Sequence, residues 1–321
     1  ANLIAQQVGN GTERAWWQRE QLSGDWGDWR TSWAQRGVTF SIDYTAEILT
    51  NVSGGLRRGA EYEGLGGFGI DVDLGEFANW KGGTFRVSAL WTHGSSPSGL
   101  VGDEFAVSNI DAFDSVRLYE LWLEQNFWDE YFSLRIGNLL ADEEFAGTEY
   151  GAVFYNAAFG QPAFWANNTL NTGPAFNVAG LGVRLRYDVT DSWYAQAGVY
   201  DGDTFDSADG DPGKNKNGVH FQLGNGQGWT SLYEFGYNGF KVDDGSGLPG
   251  WYRVGVWHHS AEFTNHDNSK SNGIWGLYGA VDQMLWREQG DQGLGAFFRY
   301  GIGPRNRSRF HWVLDTGLNY K

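Results

Sequence analysis

From Phe40 onward the chain alternates. Phe40, Ile42, Tyr44, Ala46 and Ile48 share one parity, and Ser41, Asp43, Thr45 and Glu47 share the other. A strand with this pattern has one apolar and one polar face. The same two-residue period returns at 68–74, 85–91, 119–124, 132–137, 181–187, 193–199, 233–237, 252–257, 277–282, 294–300 and 310–319, which makes twelve predicted strands. Ahead of them the period differs. Trp26, Trp29 and Trp33 recur at helical spacing. They predict a helix within 13–36, with Asp25 suited to its start and Gly37 to its end.

The connections also alternate. Segments 49–62, 93–114, 140–177, 201–227 and 260–273 are long, 75–82, 128–130 and 188–192 are short, and 239–250 and 286–292 are intermediate. Bacterial outer-membrane barrels have long extracellular loops and short periplasmic turns. On that assignment the helix is periplasmic and the first strand runs outward. The short 301–307 connection is the one exception. A soluble sandwich alternates too, but its strands are usually about five or six residues long. A tilted strand that spans a bilayer needs about ten. The polar parity here carries opposite charges and Gly, as a wet lumen would.

Composition narrows the choice. Among 321 residues there are 48 Gly, 17 Trp, 15 Tyr and 21 Phe, and mean hydropathy is −0.46. Disordered low-complexity chains enrich Gly but not Trp. Barrels do both, with aromatic and apolar residues outside and Gly where strands bend. There is no run of about 18 apolar residues, so membrane helices are excluded. The chain has no Cys, which excludes disulfides and Cys-ligated metals. A net charge of −16 argues against duplex nucleic acid as a partner. The pattern predicts an all-β transmembrane antiparallel barrel, with residues 1–37 as an N-terminal periplasmic segment and 38–321 as the barrel.

Three stretches carry a resemblance. They are Leu22-Ser-Gly-Asp-Trp-Gly-Asp-Trp-Arg-Thr through Gln35-Arg-Gly-Val-Thr-Phe; Arg117-Leu-Tyr-Glu-Leu-Trp-Leu-Glu-Gln followed by Ser133-Leu-Arg-Ile-Gly-Asn-Leu-Leu-Ala-Asp-Glu-Glu-Phe; and Asp315-Thr-Gly-Leu-Asn-Tyr-Lys. Together they resemble the carbohydrate-selective outer-membrane porins of the OprB type. The resemblance implies passive diffusion of mono- and small oligosaccharides through a 16-stranded barrel in the outer membrane of Gram-negative bacteria. It implies no catalysis and no cofactor. This chain shows twelve strands and stops at Lys321. Against the family pattern, the expectation is a chain lacking about four strands and the terminal aromatic residue, with a gap between its first and last strands; a closed twelve-stranded barrel is the alternative.

A porin selects by the width, charge and stacking surfaces of its narrowest section. The basic candidates on lumen parity are Arg86, Arg135, Arg184, Arg186, Arg253 and Arg299. The acidic ones are Asp43, Asp71, Asp73, Glu120, Glu124, Glu234, Asp282 and Asp315. Arg donates and carboxylates accept, so a mixed ring can replace the water a sugar loses. The bland alternative is cross-strand pairing that fills the wall. Trp122, Tyr194 and Trp257 fall on the same parity and could stack on a pyranose face. Segment 140–177 holds Asp142, Glu143, Phe154, Tyr155, Phe164 and Trp165. Its aromatic content argues against disorder, so it is expected to fold inward and narrow the pore. Capping a contact in a homo-oligomer is the alternative.

Other constellations are weaker. Asp201, Asp203, Asp206, Asp209 and Asp211 would suit calcium but lack EF-hand spacing. His258, His259 and His266 have mixed parity, so no metal is assigned. The remaining alternatives are a secreted β-rich glycosidase using paired carboxylates and a carbohydrate-binding sandwich. Sugars and outer-membrane lipid are the expected partners.

Overall fold

The computed structural model describes residues 19, 21–224, 226–241, 247–290 and 292–321. Residues 13–18 and 20 of the predicted helix lie outside the described residues. Within them, α1 is only Trp29–Ala34. Asp25 accepts from the Thr31 N–H at 2.9 Å and so supports the α1 start. Trp29 and Trp33 both pack on Phe40, with centroids 4.9 and 6.5 Å away, which holds α1 beside the first strand.

All twelve predicted strands form. They are β1 (Val38–Asn51), β2 (Gly59–Asp73), β3 (Gly83–Gly94), β4 (Ser115–Phe127), β5 (Phe132–Leu139), β6 (Gly180–Asp188), β7 (Trp193–Asp201), β8 (Trp229–Asn238), β9 (Gly250–Thr264), β10 (Lys270–Gln289), β11 (Gln292–Ile302) and β12 (Trp312–Tyr320). They make one antiparallel sheet in chain order. Several strands run further than their sequence pattern. β9 and β10 shrink the 260–273 connection to 265–269. Two helical turns lie in the early connections, α2 (Leu74–Ala78) and α3 (Ser98–Val101), and two more in the longest, α4 (Ala157–Gly160) and α5 (Ala163–Ala166).

The sheet is inside-out relative to a soluble fold. Ile42, Val254 and Leu318 are 64%, 61% and 62% exposed on its outer face. Arg299 and Asp282 are 0% exposed on its inner face. A water-soluble protein of this size buries the first kind and exposes the second. A hydrocarbon surround reverses the preference.

The sheet is strongly curled. β4 and β12 are separated by eight strand spacings, about 38 Å along the sheet. Yet Phe105, ahead of β4, stacks on Phe310, ahead of β12, with centroids 4.8 Å apart. Arg309 and Glu104 form an ion pair at 2.9 Å beside them. The curl does not close: among the described residues no pairing joins β1 to β12.

Two parity assignments change. Pairing runs from Ser88↔Glu120 to Ala89↔Leu118, so Tyr119 is a bulge. Beyond it Arg117 and Ser115 turn inward, 2% and 5% exposed. A bulge puts two residues opposite one and so exchanges the faces of everything past it. Phe310, which shares the parity of the outward Trp312 and Leu314 in the predicted 310–319 strand, instead precedes β12 and packs inside the long-loop end against Phe105. His311, beside it, also precedes β12 and is exposed.

Candidate functional site

Segment 140–179 runs inside the curl and is tied to its inner face by strands β5 through β11. Glu144 bridges to Arg135 at 2.5 Å and Arg184 at 3.2 Å. Gln196 donates to the Glu144 carbonyl at 2.6 Å. Glu234 accepts from the Ala146 N–H at 2.9 Å, and Asp282 from the Tyr150 N–H at 3.0 Å. Arg253 donates to the Gly147 carbonyl. Arg299 donates to the Ala146 carbonyl at 3.0 Å and the Phe159 carbonyl at 3.2 Å. An irregular backbone inside a barrel needs partners for its polar groups, and the wall's charged side chains provide them.

This loop divides the candidate residues into two sets. The covered set faces inward but lies beneath the loop. Tyr194, Trp257, Phe164, Trp165 and Arg299 are all fully buried, and Arg253 and Glu234 nearly so. Glu234 accepts from Tyr194 at 2.8 Å, Gln196 at 3.0 Å and Tyr278 at 2.9 Å in addition to Ala146. Arg253 pairs with Asp282 at 2.8 Å and lies 3.5 Å from the Trp251 ring centre. Arg299 pairs with Asp315 at 3.0 Å. Phe164 packs on Tyr278 at 5.3 Å. Tyr194, Trp257, Arg253, Arg299, Phe164 and Trp165 are thus all buried: Tyr194 donates to Glu234, Arg253 and Arg299 donate to loop carbonyls, and the Trp165 and Trp257 indole N–H groups have no hydrogen-bond partner among the described residues.

The second set keeps partial exposure through Arg86, Arg135 and Arg186, whose side chains are 30%, 20% and 18% exposed. Arg86 pairs with Asp71 at 2.7 Å and Glu120 at 2.6 Å. Glu120 also accepts from the Trp122 indole at 2.8 Å, and Arg135 lies over the Trp122 ring at 4.1 Å. Arg86, Glu120, Trp122 and Arg135 thus form a continuous chain across three strands. Arg135 and Arg184 share Glu124 at 2.7 and 2.6 Å. Arg186 pairs with Asp188 at 2.9 Å and caps the Tyr194 ring at 4.0 Å. Every guanidinium has five N–H donors, so Arg86, Arg135 and Arg186 retain donors beyond these pairs. Arg184, Glu120 and Trp122 are buried behind them.

On the loop side, Glu143 is accessible while also ringed by protein. That enclosure, with Glu120 and Asp142 close by, raises its carboxyl above the ordinary range. Burial pushes the Asp142 carboxyl up to about 6, opposed by the Phe176 N–H that it accepts at 2.8 Å. Phe154 packs on Phe159 and Phe297, at 5.1 and 5.6 Å. Tyr155 is exposed.

Sequence reasoning missed several participants. Gln196 and Tyr278 sit on lumen parity, so alternation could have found them. Glu144 adjoins two named carboxylates. Arg117 was hidden by the Tyr119 bulge, which has no signature in the residues around it. The acidic 201–211 stretch is engaged locally: Asp203 accepts from the Phe205 and Ser207 N–H groups at 3.1 Å each and from Asn171 at 2.6 Å. His259 is buried against the Gly202 carbonyl at 2.8 Å.

Comparison with known proteins agrees with this architecture. Residues 57–321 match the model of the carbohydrate-selective porin, OprB family. Porin B of Pseudomonas aeruginosa is 26% identical over 94% of this chain and 69% of its own length. The high-pH structure of Pseudomonas putida OprB superposes with a TM-score of 0.81 at 21% identity, covering 94% of this chain and 74% of that one. Its low-pH structure superposes at 0.58 with 19% identity, covering 94% and 76%. At these identities the structures establish the fold, and the family match establishes kinship. With its inverted sheet and charged interior, the chain belongs to the carbohydrate-selective OprB porin family, outer-membrane sugar channels of Gram-negative bacteria rather than enzymes.

Proposed function

We propose that this chain forms the selective wall of a channel through which mono- and small oligosaccharides diffuse passively. The observation that carries the reading is the Arg86–Glu120–Trp122–Arg135 chain, facing Glu143 and Glu144 of the inward loop. Spare guanidinium N–H groups donate to sugar hydroxyls and the loop carboxylates accept. Several weak contacts of this kind let a sugar enter and leave. The mixed field favours neutral sugars over strongly charged solutes. Residues 38–321 form the channel wall, the long-loop end faces outside, and the N-terminal segment with α1 lies on the periplasmic side. The outer aliphatic and aromatic side chains meet lipid.

The test is sugar block of ion current in planar bilayers. Replacing Arg135 with Ala should raise the sugar concentration needed for half block about tenfold, as expected for loss of charge-assisted hydrogen bonds. Replacing outward-facing Leu134 with Ala should leave block unchanged. Identical behaviour of the two variants would overturn the constriction assignment.

A further inference from the structure

Above the constriction, at the long-loop end, lies a cavity of about 570 Å³. It is bounded by the connection ahead of β4 and by segment 140–179. Its charge is one-sided. Asp111, Asp142 and Glu143 line it, and none of its lining residues is Lys, Arg or His. A fourth lining carboxylate, Glu104, is already engaged by Arg309. Aromatic rings make part of the wall: Tyr119 and Phe176 meet edge to face at 6.4 Å. Asn177, also in the lining, is 8% exposed, and its Nδ2 has no hydrogen-bond partner. The Asp142 Oδ1 atom is likewise buried and unpartnered. Buried polar atoms left without partners are costly, which marks this wall as polar in character just behind the lining.

We infer that this cavity is a capture subsite for amino sugars in their ammonium form. The inference rests on the sugar-channel reading above and adds a substrate class to it. A pyranose offers an apolar face to the Tyr119 and Phe176 rings and hydroxyls to the Asn177 amide. A ring ammonium offers three donors, and the accessible Glu143 carboxyl accepts, with the Asp142 and Asp111 carboxyl groups close by in the lining. Burial and its carboxylate neighbours make the Glu143 carboxyl hold its proton, and an arriving cation favours its release. An acidic sugar would meet the acidic side chains of Asp111, Asp142 and Glu143 and no cation in the lining. The order of preference is therefore glucosamine, then glucose, then glucuronate. The constriction below, with its arginines, has no such bias toward cations, so capture and passage are separable in charge.

The experiment uses the whole chain in detergent micelles at about pH 7, with binding of glucosamine, glucose and glucuronate followed by saturation-transfer NMR and calorimetry. Wild type should bind glucosamine about tenfold more tightly than glucose, the factor expected for charge-assisted over neutral hydrogen bonds. Glu143→Gln lies on an accessible side chain and is expected to fold; it should reduce that preference severalfold. Asp142→Asn should reduce it independently. Equal binding of glucosamine and glucose by wild type would overturn the inference, as would a preference that survives in both variants. Uptake of glucose into proteoliposomes separates the two levels. Glucose uptake without any amino-sugar preference sinks only the capture subsite, whereas no binding and no uptake of any sugar sinks the channel reading with it.

Discussion

Arg135 of β5 and Arg184 of β6 stand directly opposite each other on paired strands. Like charges in that position repel. The pair is tolerated because Glu124 from β4 and Glu144 from the inner loop each contact both guanidiniums. The four groups form a compact quartet with balanced charge. One of its carboxylates belongs to the loop, so loop position and arginine position are mutually dependent.

Glu144→Ala should therefore act on both. We expect a loss of about 1–3 kcal/mol, below the full cost of a buried broken pair because Arg135 keeps some access to solvent. Chemical denaturation in detergent measures it, and limited proteolysis should show faster cleavage within 140–179. Unchanged stability together with unchanged cleavage would contradict the bracing role.

Glu234 presents a sharper case. Its two oxygens take four donors, from Tyr194, Gln196, Tyr278 and the Ala146 N–H. Removing the carboxylate strands all four in a site that is nearly dry. Glu234→Ala should lower stability by about 3–5 kcal/mol, and Glu234→Gln by less, since an amide oxygen still accepts. Thermal melting in micelles should rank the three proteins accordingly; a neutral Ala variant would refute the clamp.

Asp142 makes stability depend on pH in a defined direction. Its ordinary carboxyl value is 3.8, and burial pushes it up to about 6 in the folded chain. Between those values the folded state binds the proton that the unfolded state has released. This group's contribution therefore falls as pH rises from about 4 to about 6. Asp142→Asn, which can still accept from the Phe176 N–H, should flatten the melting temperature across that window. A wild-type profile that matches the variant would remove the assignment.

Alternation on the wall can be checked by labelling. Spin labels at Ile42, Leu134, Ile136 and Trp312 should be relaxed by lipid-soluble quenchers, and labels at Ser41, Asp43 and Arg135 by aqueous ones. Reversed access on any one strand would mean that its register is wrong. A label at Phe310 should follow neither group, because that ring is packed against Phe105.

Strand parity was legible because lipid and lumen impose opposite chemistry on neighbouring residues. Phe40 to Ile48 shows this directly, and the inward set from Arg86 to Arg299 followed from the same rule. Three things were not legible. The Tyr119 bulge is a backbone event, and neither Leu118 nor Tyr119 announces it. The ends of β9 and β10 pass beyond their apolar run as a hairpin whose pairing continues through polar residues such as Glu262 and Lys270. The division of inward residues into covered and open depends on the path of 140–179, which is irregular and has no period to read. Arg253 and Arg299 share inward parity with Arg86 and Arg135, yet only the last two keep side-chain exposure.

The loop's ties to seven consecutive strands also have a mechanical meaning. A sheet is stiff along its strands and compliant across them, so a curved wall alone would flatten or ovalise under lateral load. Arg135, Glu234, Arg253, Asp282 and Arg299 act as spokes joining that rim to the loop, the first through the Glu144 carboxylate and the others through loop backbone. The width of the opening then follows from side-chain length and hydrogen-bond geometry rather than from the tension of the surrounding bilayer.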